Sequence, residues 1–149
     1  SRLVKEAGVS PDQIYLEITE TVLANLGSTG EDIFNELQQA GFRLSVDDFG
    51  VGTSSLSRLR SIPLREIKVD RSFISDVTSS SRDLELLRGI VNLAKNLGLE
   101  VVIEGVESPQ QLSIAKSLGH LSIQGFCYSR AVNPMQAFEL IERQPFAIH

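Results

Sequence analysis

The chain has 149 residues, 42% of them hydrophobic, and carries a formal net charge of −5. That length supports one domain with a modest core, while the acidic balance and dispersed basic residues argue against a groove for long nucleic acid. Its one cysteine, Cys127, rules out an internal disulfide and makes a reducing, cytoplasmic setting the default. No apolar stretch is long enough to span a bilayer, and the opening "SRLVKEAGVS" lacks the apolar segment of a signal peptide, so no membrane contact is expected from this segment.

In chain order, "IYLEIT" (14–19) reads as a strand and a helical pattern follows over 29–40. "FRLSVDDF" (42–49) is the second strand, ahead of a helix over 54–60, and "EIKVD" (66–70) is the third. The longest helix spans 82–97, with Leu84, Leu87, Ile90, Val91 and Ala94 on one stripe and Asp83 and Glu85 in its first turn. "EVVIEG" (100–105), a helix over 108–118, "SIQGFCYS" (122–129) and a last helix over 134–143 complete the alternation.

A weak repeat runs through these elements. "LQQAGFRLSVDD", "AKNLGLEVVIEG" and "AKSLGHLSIQG" each pass from helix through glycine to strand. Gly41, Gly98 and Gly119 fall where a helix end needs positive φ. Strands that alternate with helices become parallel through right-handed crossovers, so all C-terminal strand ends share one rim. Asp47 and Glu104 each lie six residues after their glycine, and Gln124 lies five after its own. With Lys68 in "EIKVD" and Glu17 in "IYLEIT", five successive strands deliver polar groups to that rim. Active sites of parallel α/β barrels and open sheets occupy this place. An open doubly wound sheet is the alternative, but polar groups inside strands favour a barrel, where they can face the mouth of the lumen.

Carboxylates converging with no histidine or cysteine beside them form a hard, oxygen-rich site suited to Mg²⁺ or Mn²⁺. Two such ions can share a bridging carboxylate, which gives the adjacency of Asp47 and Asp48 a purpose. Lys68 can then orient a nucleophilic water or offset phosphate charge. Taken singly, each residue has a plainer reading: Asp-Asp as a loop start, Lys68 as a snorkelling side chain, and the others as solvated strand ends. Joint placement on one rim makes the site the better reading. His120 and His149 read as surface residues, and Cys127 as strand packing.

The segments "YLEITE", "DDFGVGTSSL", "IKVDRSFI", "VVIEGVE" and "QGFCYSRAV" resemble, in order, the signatures of the EAL domain family. The resemblance covers nearly the whole chain. It implies a modified TIM-type (β/α) barrel that uses two Mg²⁺ or Mn²⁺ ions to linearise cyclic di-GMP to pGpG in bacteria. By the same resemblance, Glu17 binds one metal, Asp47 bridges both, and Asp48 and Glu104 serve the second. Lys68 and Gln124 then position the attacking water, and Arg130 stands in the substrate-binding segment. Glu20 matches a glutamate that holds the loop after "DDFG" and links metal binding to dimerisation. Val51 and Thr53 replace a threonine and a tyrosine of the family pattern, and Arg130-Ala131 replaces a lysine-proline.

No "EAL" or "EXL" motif precedes "YLEITE", nor does the family's metal-binding asparagine. A barrel of this type takes about 250 residues, so the chain is expected to be the C-terminal roughly 60% of an EAL domain, with residues 1–149 as one partial domain. Alone it is expected to be inactive and to self-associate, as a homodimer or through its open edge. The parent is expected in the bacterial cytoplasm, or as the cytoplasmic part of a membrane protein, with a sensor or GGDEF domain attached. A degenerate domain serving as a cyclic di-GMP receptor or interaction platform remains the alternative to an enzyme.

Overall fold

A computed structural model describes residues 2–52 and 56–143 of the chain. Five short strands, β1 (Tyr15–Thr19), β2 (Arg43–Phe49), β3 (Glu66–Val69), β4 (Glu100–Ile103) and β5 (Ser122–Ile123), form one parallel sheet in the order β1-β2-β3-β4-β5. The helices are α1 (Arg2–Glu6), α2 (Glu20–Ala24), α3 (Ser28–Gln39), α4 (Leu56–Ser61), α5 (Ser72–Ser75), α6 (Ser81–Asn96), α7 (Pro109–Ser117) and α8 (Pro134–Arg143), with a 3₁₀ turn at Pro11–Gln13.

The strand order decides between the two architectures. A doubly wound sheet reverses direction midway and so carries helices on both faces. Here each strand lies beside its predecessor and the order never reverses. Right-handed crossovers in one direction place the helices on a single face, as in the wall of a TIM-type barrel. The described strands form an open wall, with β1 and β5 at its edges.

Side-chain alternation divides the sheet into two unlike faces. Leu44, Val46, Ile67, Val69, Val101 and Ile103 point to the helices and are buried with Leu87, Val91 and Ala94 of α6 and Ala115 of α7. The intervening positions are mostly polar, Val102 of β4 being apolar, and several of the polar ones bond to one another on the concave face. Ser45 Oγ donates to Glu66 at 2.9 Å, Arg43 Nη1 to Tyr15 Oη at 3.0 Å, and Tyr15 Oη to Glu100 at 2.9 Å. The last of these bonds joins β1 to β4 across two intervening strands, so the wall is strongly curled.

Local chemistry places the helices. Ser80 caps α6 through the amide of Asp83, and Ser108 caps α7 in a capping box with Gln111. Gly41, Gly98 and Gly119 end their helices at φ +94°, +74° and +102°, as the repeat requires.

Several expectations need correction. The strand expected at 122–129 stops at Ile123. Residues beyond it wrap around Val106, whose amide donates to the Gln124 carbonyl while its own carbonyl accepts from the Cys127 amide. Cys127 therefore sits in a turn, partly buried against the core, and not in a strand. The short elements α2 and α5 and the 3₁₀ turn lie where no element was expected. His120 is exposed. Thr53, the start of the helix expected over 54–60, and His149 lie outside the described residues.

Candidate active site

In a regular strand neighbouring side chains point to opposite faces, so Asp47 and Asp48 should not serve one site. The end of β2 is not regular. Its register against β3 passes from Val46↔Ile67 to Phe49↔Val69, three steps on one strand against two on the other. The surplus residue is absorbed where Asp48 takes φ +53°, the one positive φ of a non-glycine among the described residues. This bulge re-aims the pair. Ligand oxygens of Asp47, Asp48 and Glu104 can all lie within 4.8 Å of one another.

Lys68 stands at the centre of the cluster and is only 8% exposed. Its Nζ is 2.8 Å from Glu104, 3.1 Å from Asp47 and 3.1 Å from Glu17. Burial alone would lower its pKa, but hydrogen bonds to Glu104, Asp47 and Glu17 outweigh that and hold it well above the usual lysine value. The ammonium is thus firmly charged. Glu17 comes from the middle of β1, Asp47 from β2, Lys68 from β3 and Glu104 from the end of β4, so four neighbouring strands build one point.

Glu20 lies apart from this group, behind the loop. Buried at the start of α2, it accepts hydrogen bonds from the amides of Gly50 (2.8 Å) and Gly52 (2.9 Å). It therefore fixes the chain directly after Asp48. Gly50 has φ +101°, and a Cβ there would strike the Phe73 ring. That corner admits only glycine.

Beside the carboxylates opens a cleft of about 570 Å³, lined by Asp48, Glu104, Gln124, Arg71, Phe126 and Arg130 among others. Gln124 and Arg130 belong to this wall and lie outside the ion-paired cluster. The Arg130 guanidinium sits 4.4 Å above the centroid of Phe126, an exposed ring. The sequence reading missed Asp70, Arg71 and Phe126, all of which line the cleft. Asp70 ends "EIKVD" at the same kind of strand terminus that singled out Asp47. Phe126 gave no such signal, because an aromatic near a strand end usually reads as core.

The donor set consists of carboxylate oxygens alone, a composition that fits a hard divalent cation and not structural zinc. The sequence profile of the EAL domain matches residues 1–131. The chain belongs to the EAL domain family. It is 42% identical over 137 residues to the cyclic di-GMP phosphodiesterase NbdA of Pseudomonas aeruginosa, a match covering 91% of this chain and 17% of NbdA. Among solved structures, the PaMucR phosphodiesterase in complex with c-di-GMP superposes with a TM-score of 0.85 at 34% identity, over 91% of this chain and 55% of that one. Klebsiella pneumoniae BlrP1, solved with manganese and cy-diGMP, gives a TM-score of 0.79 at 35% identity over 85% of this chain and 32% of that one. This EAL chain therefore spans about half of the PaMucR chain and about a sixth of NbdA. BlrP1 was also solved with calcium, and divalent-ion use in the family agrees with the oxygen-only cluster here. No helix among the described residues is long and apolar enough to cross a membrane.

Proposed function

We propose that this chain carries the catalytic rim of a cyclic di-GMP phosphodiesterase that hydrolyses the dinucleotide to pGpG with two Mg²⁺ or Mn²⁺ ions. The observation that carries the reading is the bulge at Asp47-Asp48, which gathers Asp47, Asp48 and Glu104 into one oxygen cluster, two of whose members also pair with the Lys68 ammonium. Asp47 would bridge the two ions, Glu17 would hold one, and Asp48 and Glu104 the other. When bound, the ions supply Lewis-acid charge where the scissile phosphodiester gains negative charge.

The remaining roles belong to the chain. Lys68 and Gln124 orient a water toward phosphorus, and the buried ammonium adds fixed positive charge beside the reacting group. Water gives up one proton as its oxygen bonds to phosphorus, the P–O3′ bond breaks, and the departing 3′ oxygen takes up one proton and leaves as a hydroxyl, a net addition of one water. Arg130, stacked on Phe126, lines the cleft where a base or phosphate of the dinucleotide can lie. Glu20 keeps the Gly50–Gly52 loop in place and so fixes Asp48.

We further infer that the rim is incomplete in this chain by itself. On the four carboxylates above, one ion has only Glu17 and Asp47, too few protein ligands to compete well with water. The share of the relatives' length that is matched supports a parent with more of the barrel and further domains attached. In that full-length parent, Asp47→Ala should abolish pGpG release from cyclic di-GMP, as read by chromatography, while the fold survives. Release at the wild-type rate in the variant would refute the mechanism. Tight cyclic di-GMP binding without turnover in the wild-type parent would instead make it a receptor.

A further inference from the structure

We propose that Lys68 is a resident counter-cation, holding in the metal-free protein the place between Glu17, Asp47 and Glu104 for which a divalent ion must compete. The inference rests on the reading of these carboxylates as metal ligands and goes beyond it, because it assigns Lys68 a task before any metal arrives.

The geometry carries the case. An ammonium has three N–H bonds, and Lys68 has three carboxylate partners, at 2.8, 3.1 and 3.1 Å. Those partners come from β1, β2 and the end of β4, so they approach one point only because the sheet curls around it. Three carboxylates that close would repel one another and splay toward solvent without a cation. Glu17 in particular has room to leave, since its side chain is 47% exposed while that of Lys68 is 10% exposed. Lys68 is anchored in the interior strand β3, flanked by β2 and β4, and its side chain is largely buried, so the charge cannot follow the carboxylates outward. Asp48 shares no ion pair with Lys68 among the described residues, yet an oxygen of its carboxylate lies in one group with those of Asp47 and Glu104. The cluster therefore has one cation against four acids, and one ligand already free of the lysine.

Two consequences oppose each other. The ammonium pre-assembles the site, which favours binding. It also repels an incoming divalent ion and occupies oxygens that ion needs, which disfavours binding. At separations of about 4 Å and an effective dielectric near 20, charge repulsion exceeds what pre-assembly of short side chains returns. The net effect is a weakened metal site that loads only at higher ion concentration.

The experiment is calorimetric titration of MnCl₂ into this chain and its Lys68→Met variant, paired with thermal unfolding with and without Mn²⁺. The variant should melt lower than wild type when metal-free, bind Mn²⁺ about tenfold more tightly or better, and gain more in Tm from the ion. A Lys68→Arg variant keeps the charge and should stay within a few-fold of wild-type affinity. Equal or weaker Mn²⁺ affinity in Lys68→Met overturns the proposal while leaving the metal site standing. Absence of Mn²⁺ binding in wild type and variant alike removes the metal site and this inference with it. Should Lys68→Met be unfolded alone, folding on Mn²⁺ addition supports the proposal. Failure to fold even with the ion overturns it, because a doubly charged cation would then not replace the ammonium.

Discussion

Asp48 shows how much chemistry one backbone angle controls. At φ +53° most L-residues suffer a clash between Cβ and the carbonyl, and only glycine, asparagine and aspartate visit the region readily. The residue is therefore constrained twice, by its backbone and by its carboxylate. Substitution separates the two roles. Asp48→Asn should fold like wild type while losing Mn²⁺ affinity, whereas Asp48→Ala should also lose about 1 kcal/mol of stability to the strained angle. Chemical denaturation of both variants checks this, and equal stability would show that the angle carries no strain.

Glu66 offers a second test at the same scale. It lies on the concave face, where burial raises its pKa above the ordinary 4.5 and the Ser45 hydroxyl only partly offsets this. A carboxyl whose folded pKa is raised binds its proton more tightly when folded, so stability falls as pH rises from about 4.5 through the folded value. Glu66→Gln removes that loss and keeps an acceptor for Ser45. The variant should be more stable than wild type at pH 7, with the difference fading below about pH 4. An unchanged difference across that range would contradict the assignment.

Among the elements, what could be read from sequence was what depends on local pattern. The glycines that end three helices and the apolar strand interiors are short-range signals, and they placed four strands within a residue or two. The bulge in β2 was not legible, because register is a relation between strands that no stretch of one strand encodes. The adjacency of Asp47 and Asp48 is plain in the sequence, but what lets both face one rim is a property of the fold. Nor was the brevity of β5. "SIQGFCYS" has strand composition, yet a Cβ at Gly125 would fall on the backbone of Val106, so close packing converts the segment to a turn. Gly125→Ala should accordingly cost about 1–3 kcal/mol, read as a Tm lower by several degrees. It should also displace Gln124 from the cleft wall. A neutral substitution would show that the close approach is not required.

Taken whole, the molecule is a curled wall with one dry face and one ion-paired face. Among the described residues, β1 and β5 each have a neighbour on one side only, and α8 exposes Met135, Phe138 and Ile141 along a single stripe, burying none of its residues. Unpaired strand edges and apolar stripes recruit further chain. We therefore expect the isolated chain to self-associate, with light scattering giving a mass above 16.4 kDa. A monodisperse monomer would show that the edges are protected. The barrel wall could be read from strands alternating with glycine-ended helices, and the family from five ordered segments that resemble its signatures. The polar layer of Tyr15, Arg43 and Glu100 could not, since charged residues in short strands look the same whether they face water or a lumen.

The central claim is that Asp47, Asp48 and Glu104 share a divalent ion at the rim of this wall. Anomalous diffraction at the manganese edge, from crystals of the chain grown with MnCl₂, tests it most directly. A peak at about 2.0–2.2 Å from oxygens of Asp47 and at least one other of these carboxylates is the predicted result. Manganese density elsewhere, with the cluster holding only Lys68, would contradict it.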